Sequence, residues 1–365
     1  MYTIIHGEKI LQYKIELDLS GMTYSGSPDS ISTSAEERLK WLKNHQSNWF
    51  RFRSDSKELM DFGDDFIGDR GDFLSVISGD IVAFGISNLQ TSTTSLAFRN
   101  LREPAKNIHG VNSKLSFEFF TRELAVDPSQ DLVILISEGG PLRPTNGMKV
   151  TINIHIRNIS TGTYHGMANH DTLVHVLSCS SILWYRYSIS IWHQFVGVHC
   201  QRIVDDEQSF EFSELLVWDW KTGQKEMHLI DLIASFTFLS DYHVLLALPA
   251  IPDTSLSQTP MLVVIDFHKT STNFTTVLGF SLPEFRRTAH ISTLRFHAEV
   301  PRVGSSASEQ TILNHHHTAS NNRVILLSVQ RHFSRTRSGV ECHASRAAHN
   351  QLFLGMHGGS MAPGC

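Results

Sequence analysis

Apolar positions in this chain come in short runs rich in β-branched and aromatic residues, each broken within about 8 to 15 residues by a cluster of Gly, Pro, Asn, Asp or Ser. Branched and aromatic side chains fit the pleated, half-buried surface of a strand, so the pattern is that of an all-β protein. It predicts strands over 9–17, 74–77, 80–86, 115–120, 132–137, 150–157, 172–177, 195–200, 214–219, 235–239, 243–247, 261–266 and 323–330. Residues 236–248 read as a hairpin turning at Ser240-Asp241-Tyr242, and 121–136 as one turning at Asp127-Pro128-Ser129. A single segment has the helical period. In 34–49, Ser34 and Glu37 form an S-x-x-E capping box and Leu39, Leu42 and Trp49 share a face, which predicts one amino-terminal helix inserted among the strands.

Internal repetition organises these strands. The segments IHIRNISTG (154–162), LLVWDWKTG (215–223) and LVVIDFHKT (262–270) each run from an apolar strand into Asn or Asp and a polar turn. Shorter apolar strands precede them at 132–137, 195–200 and 244–248. A weaker copy, LAFRNLREP (96–104), follows 80–86. Thr161, Thr222 and Thr270 are 61 and 48 residues apart, near the unit of a four-stranded blade with loop insertions. A blade cannot bury both faces alone, so blades stack. The expected fold is a WD40-like β-propeller of six to seven blades over 1–330, the last blade incomplete. Residues 331–365 lack strand periodicity and are expected to form a disordered or aberrant tail. Tandem Ig-like sandwiches are the alternative on strand spacing alone.

At Trp218-Asp219-Trp220-Lys221-Thr222-Gly223 the chain resembles the strand end of a WD40-type blade. Trp218 and Trp220 are expected on opposite faces of that strand, with unequal costs of truncation. Taken with the opening IHGEKILQYKIELDLSGM, the segment ERLKWLKNHQSNW and IRNISTGTYH (156–165), the chain from 4 to 285 resembles the carboxy-terminal, propeller-like region of fungal, basidiomycete-type F-box proteins. In that family an amino-terminal F-box docks the Skp adaptor of a cullin ubiquitin ligase and the propeller holds the substrate. The resemblance therefore implies the substrate-recognition part of an SCF-type receptor. Here the chain opens on what reads as the first propeller strand, so no residue is assigned the adaptor-docking role. Skp is an expected partner only where an F-box lies upstream, and otherwise the chain is a free-standing propeller scaffold for protein assembly.

Composition narrows the function classes. With 41% hydrophobic and 18% charged residues, and 22 Phe, 7 Tyr and 6 Trp, the chain has ample material for a core. Its 31 Lys and Arg against 36 Asp and Glu give a net charge of -5, which offers phosphate backbones and anionic lipid no general attraction, so neither nucleic acid nor membrane is an expected partner. The amino terminus lacks a signal-peptide apolar run and 244–251 is too short to span a bilayer, so a soluble cytoplasmic or nuclear protein is expected. Cys179, Cys200, Cys342 and Cys365 lie far apart with no C-x-x-C and read as reduced thiols.

Motifs with chemical content fail their context tests. Asp61-Phe62-Gly63 lacks the kinase catalytic loop, Gly-rich loop and strand lysine. The acidic run with Asp61, Asp64, Asp65, Asp69 and Asp72 does not have calcium-loop spacing and reads as a solvated loop or a docking patch for a basic partner. Arg70-Gly71-Asp72 has integrin-binding meaning only outside the cell. His315, His316 and His317 are adjacent, so their side chains diverge rather than close on one ion. His155, His175, His199 and His243 fall in strand patterns and read as satisfied sheet residues. Gly358-Gly359-Ser360-Met361-Ala362 is no nucleophile elbow, and phosphate-cradling glycine loops are missing. The cluster Trp184, Tyr185, Arg186, Tyr187, Trp192 and His193 reads as packing between blades, or as an interface hot spot. No catalytic, cofactor-binding or metal-ligating residue is expected, and no cofactor. The expectation is a non-enzymatic module for protein partners whose identity the residues do not disclose.

Overall fold

A computed structural model describes residues 8–19, 22–24, 34–51, 71–101, 113–139, 149–178, 185–202, 213–249, 259–268, 276–282, 289–298, 316–318, 322–333, 336–337, 340–341 and 348–357. The chain divides into two compact units, one of Met1–Asp61, Pro301–Val324 and Gly355–Cys365, the other of Phe62–Val300 and Ile325–Leu354.

The first unit corrects two expectations. Residues 9–17 are not a strand: Lys9–Leu19 forms helix α1, followed by the short strand β1 (Met22–Tyr24) and helix α2 (Ala35–Phe50). The described residues thus hold two helices where one was expected. The β-branched and aromatic content of 9–17 suggested a strand, yet its deeply buried positions, Tyr13 and Leu17, are four apart and meet Leu39 and Leu42 of α2 in one small core. The Arg38 guanidinium caps this core, 5.4 Å over the Tyr13 ring. The α2 capping box forms as expected, with the Glu37 N–H donating to Ser34 Oγ (3.2 Å) and the Ser34 N–H to Glu37 Oε2 (3.0 Å).

In the second unit the strands form antiparallel meanders in chain order. The first sheet holds β2 (Gly71–Ser78), β3 (Ile81–Asn88), β4 (Thr93–Asn100) and β5 (Ser113–Phe117). The second holds β6 (Glu123–Asp127), β7 (Leu132–Gly139), β8 (Thr151–Asn158) and β9 (Thr172–Val176). The third holds β10 (Tyr185–Trp192), β11 (Phe195–Arg202), β12 (Ser213–Asp219) and β13 (Lys225–Asp231). The fourth holds β14 (Ser235–Phe238), β15 (His243–Leu248), β16 (Met261–Asp266) and β17 (Thr276–Ser281). After β18 (Ala289–Ala298) come β19 (His316–Thr318), which pairs with β1, then β20 (Asn322–Phe333), the two-stranded β21 (Thr336–Arg337) and β22 (Val340–Glu341), and β23 (Ala348–His357). A fifth sheet takes the order β18-β20-β23, so part of the segment read as an aberrant tail is a strand. Against six to seven expected blades, the described residues hold four complete four-stranded sheets and this three-stranded fifth, with no strand pairing that joins the fifth to the first.

First strands meet in sequence: β2 touches β6, β6 touches β10, β10 touches β14, and β14 touches β18. Four buried clusters then lie between consecutive sheets, from first and second to fourth and fifth. Five middle strands, β7, β11, β12, β15 and β16, serve two clusters at once. In β7, Leu132, Ile134 and Ile136 enter the core shared with the third sheet, while Val133 and Leu135 enter the core shared with the first. In β12, Leu216 and Trp218 face one neighbour, and Leu215 and Val217 the other. Alternate side chains point to opposite faces and both faces are covered, so these strands read as continuous apolar runs.

The four repeat segments are the third strands of the four complete sheets. Asn100, Asn158, Asp219 and Asp266 pair with Ile81, Leu132, Phe195 and His243, the first residue of the second strand in each case. One residue on, Leu101, Ile159, Trp220 and Phe267 donate their N–H groups to the carbonyls of Asp80, Asp131, Gln194 and Tyr242, at 2.7 to 2.9 Å. In the second and third sheets the turn closes on a left-handed glycine, Gly162 (φ 72) or Gly223 (φ 78), whose N–H returns to Asn158 or Asp219 O. Asp219 Oδ1 also accepts from the Lys221 and Thr222 N–H groups, which explains the recurring Asn or Asp. The hairpin expected over 121–136 forms as β6 and β7. Strands β10, β13, β17 and β18 were absent from the predicted strand set; they are inner or outer strands of their sheets, or belong to the unrepeated fifth sheet.

Trp218 and Trp220 do not face opposite ways. Positions two apart share a face, and both indoles lie in the core between the second and third sheets, with Trp220 Nε1 donating to His193 O at 2.9 Å. Trp218→Ala and Trp220→Ala should therefore each cost about 3–5 kcal/mol, whereas Trp41→Ala on the exposed face of α2 should change stability by less than about 0.5 kcal/mol. Urea unfolding midpoints of the three variants check this.

Candidate functional site

Most strand histidines are structural, as expected from their pattern. His155 on β8 stacks on Phe119 at 3.9 Å between centroids and bonds Ser137 Oγ (2.9 Å) and Thr172 Oγ1 (3.2 Å). His199 on β11 is buried against Ser213 Oγ at 2.9 Å, and His243 Nδ1 meets Ser240 Oγ at 3.0 Å. Burial brings the His199 imidazole down to about 4, and burial followed by the nearby Arg157 charge does the same for His155.

The aromatic cluster divides. Tyr185 and Tyr187 belong to the core between the second and third sheets. Tyr187 Oη donates to Glu138 Oε1 at 2.8 Å, and Arg122 grips the same carboxylate through Nε (3.1 Å) and Nη2 (2.9 Å), with Asp72 at 3.9 Å. Burial, then the Glu138 charge, pushes the Tyr187 phenol up, which keeps it a neutral donor. Cys200, free and buried, has its thiol raised by burial and then by Glu214 and Glu138, and so is inert. Trp184, Asp61, Asp64, Asp65, Asp69, Arg70, His315, Ser360, Cys179, Cys342 and Cys365 lie outside the described residues.

Trp192 and His193 instead join a hydrogen-bonded surface made by the turns. Asp241 Oδ1 accepts from Trp192 Nε1 at 2.7 Å and lies 2.9 Å from His193 Nδ1, tying the β10–β11 turn to the β14–β15 turn. His268 Nε2 meets Asp241 O at 3.1 Å, and its ring lies 5.3 Å from that of Tyr242. Gln130 Nε2 bridges Asp127 Oδ2 (2.7 Å) and His193 O (2.8 Å), extending the network to the second sheet. Tyr242 remains 59% exposed upon this fixed base, and Tyr164, with Arg157 at 4.0 Å over its ring, 58%.

A second constellation sits at the seam between the second and third sheets. His175 (β9), Glu214 (β12) and His228 (β13) converge: Glu214 Oε2 lies 3.1 Å from His175 Nε2 and 2.9 Å from His228 Nε2. The Ser178 N–H donates to Glu214 Oε1 at 2.5 Å. Lys225 Nζ lies 3.0 Å from His175 Nδ1 and 5.3 Å from the Trp218 ring centre. Burial alone would raise the Glu214 carboxyl, but bonds from His175, the Ser178 backbone and His228 outweigh it and bring it to about 2. One ligand atom from each of the three residues lies within 4.8 Å of the others. Sequence reasoning placed His175 among satisfied sheet residues and missed the convergence, because its members come from three strands of two sheets and no local spacing joins them.

No family model matches the chain. No curated protein matches it either. Among solved structures, the β-propeller domain of the Trilobed protease from Pyrococcus furiosus aligns with 78% of this chain and 68% of its own, at 9% identity and a TM-score of 0.39. A subtype N10 neuraminidase-like protein of A/little yellow-shouldered bat/Guatemala covers 70% of this chain and 76% of its own, at 9% identity and 0.36. Synechocystis apocarotenoid oxygenase covers 75% and 58%, at 9% identity and 0.35. Likeness at this level fixes neither a family nor an activity.

The lowered imidazoles set a pH dependence. Between 6.5 and about 4 the unfolded chain takes up a proton at His199 that the folded chain refuses, so stability is full above pH 6.5 and falls as pH drops toward 4. The slope from this group is about 1.4 kcal/mol per pH unit, with a smaller part from the less deeply buried His155. Glu214 adds stability that is full above 4.5 and lost toward pH 2. Denaturation series at pH 7, 6, 5 and 4 should show this fall, and His199→Gln should flatten it; an unchanged slope in that variant would remove His199 as the cause.

Proposed function

We propose that this chain is a non-enzymatic protein-binding module with WD40-like propeller blades, and that it serves as the substrate-holding part of an SCF-type ubiquitin ligase receptor. The observation that carries the binding role is the turn surface around Asp241. A carboxylate that takes both the Trp192 and His193 ring nitrogens fixes two turns from neighbouring sheets, so the exposed Tyr242 ring is presented without further ordering cost. Tyrosine and tryptophan on a rigid base are the residue types that dominate protein interface energies. The ubiquitin connection rests on the resemblance of WDWKTG, IRNISTGTYH and the flanking segments to fungal F-box proteins. The half-buried His155 and the buried His199 are held neutral within the sheets and do structural work.

A photo-crosslinking residue placed at Tyr242 or Tyr164 in the intracellular protein should capture a discrete protein partner, and the same residue at Val174 on the outer strand β9 should not. Asp241→Ala should cut capture at Tyr242 several-fold while leaving the fold intact by circular dichroism. Equal capture from all three positions would count against a turn-surface site. Capture of a protein whose ubiquitylation does not depend on this chain would leave the binding role and remove the ligase role.

A further inference from the structure

The seam constellation has a property that protein binding does not use. Two imidazole nitrogens and one carboxylate oxygen, from strands of two different sheets, point at a common centre. His175 and Glu214 are buried and His228 is partly exposed, which leaves one side of the centre open to water. For a tetrahedral ion with nitrogen and oxygen ligands at 2.0–2.1 Å, neighbouring ligand atoms stand about 3.4 Å apart. The two Glu214 edges, at 3.1 and 2.9 Å, are already near that spacing. The third edge lies within 4.8 Å, so the partly exposed His228 must swing inward by up to about 1.4 Å to close it. Glu214 is held by the Ser178 N–H on its other oxygen, Oε1, so its Oε2 is aimed rather than loose.

We propose that His175, Glu214 and His228 bind one divalent transition-metal ion, zinc in the first instance, as a clip between the second and third sheets. Two nitrogens and one oxygen suit zinc and its first-row neighbours and not calcium or magnesium, which take oxygen ligands. Water supplies the fourth position on the His228 side. In the metal-free arrangement His175 Nε2–H donates to Glu214 and Nδ1 faces the Lys225 ammonium. Loading moves the Nε2 proton of each histidine, both of which face Glu214 Oε2, to its Nδ1; at His175, Nδ1 then ceases to accept and the exposed Lys225 side chain turns away into water. Lys225 therefore opposes loading, which distinguishes it from the three ligands.

The test uses the full chain, stripped with a chelator and titrated with ZnCl2 by calorimetry, with Co2+ absorption as a second readout of tetrahedral nitrogen and oxygen ligation. One ion per chain and a Tm raised by a few degrees are expected, since a ligand that binds the folded state stabilises it. His228→Ala, at the partly exposed ligand, should lose more than about 100-fold in affinity while remaining folded. Glu214→Gln should abolish the Co2+ spectrum. Lys225→Met, which keeps the stem over Trp218, should bind several-fold tighter. A variant with His315, His316 and His317 all changed to Ala should bind as the parent does. Failure of the stripped parent to bind, full binding by His228→Ala, or binding that disappears with the His315–317 change would each overturn the proposal.

Discussion

The structure depends on burying both faces of the middle strands. A single four-stranded meander has two apolar faces and cannot hide either, so each sheet of the second unit is stable only between neighbours. Each of the four clusters of the second unit belongs to two sheets, and β7, β11, β12, β15 and β16 each contribute to two clusters, β7 and β12 with alternate residues. Removing one side chain from β12 therefore damages the contact with one neighbour and spares the other. The indole pair Trp218 and Trp220 concentrates that dependence at the seam between the second and third sheets.

The same seam gathers the polar side chains whose burial needs compensation. Glu214 sits almost wholly inside, yet it accepts from His175, His228 and Ser178, and those donors all lie across or along the seam. At the inner strands, Glu138 is satisfied in the same manner by Arg122 and Tyr187. Each carboxylate binds a partner within its own sheet, His228 or Arg122, and one across the seam, His175 or Tyr187, so each ties two sheets together. Apolar burial holds adjacent sheets together without direction, and these two carboxylates add direction, because an ionised group left unpaired in such a place is expensive.

Much of the fold was legible in the chain, and the reason is physical. The segments around Asn100, Asn158, Asp219 and Asp266 repeat because each must leave an apolar third strand and turn tightly, a position that favours Asn or Asp, and the Asp219 and Asp266 carboxylates cap the backbone of their own turns. Inner and outer strands carry no such demand. Lys225–Asp231 buries one face only, through Met227 and Leu229, and Thr276–Ser281 carries Leu278 and Phe280 exposed, so neither forms the continuous apolar run that marks a middle strand. Residues 9–17 misled through composition: Tyr13 and Leu17 matter by their spacing of four, not by their preference for strands. The seam constellation was illegible for another reason. His175, Glu214 and His228 are brought together by the stacking of two sheets, and nothing local in the sequence records which strand will lie against which.

The double allegiance of the middle strands bears on how their alignment is chosen. In a sheet with one wet face, sliding a strand by one residue throws its apolar set into water, and that penalty enforces alignment. Sliding Leu132, Val133, Ile134, Leu135 and Ile136 by one place would only exchange one set of aliphatic side chains for another, since both destinations are dry. Hydrophobicity is nearly blind to the error. The discrimination falls to the polar punctuation at the strand ends, where a slip would strand the Asp131 carboxylate away from the Ser160 amide and pull Gly162 out of the one backbone shape that closes its turn. In this chain, aliphatic residues supply the cohesion and a few turn residues supply the grammar.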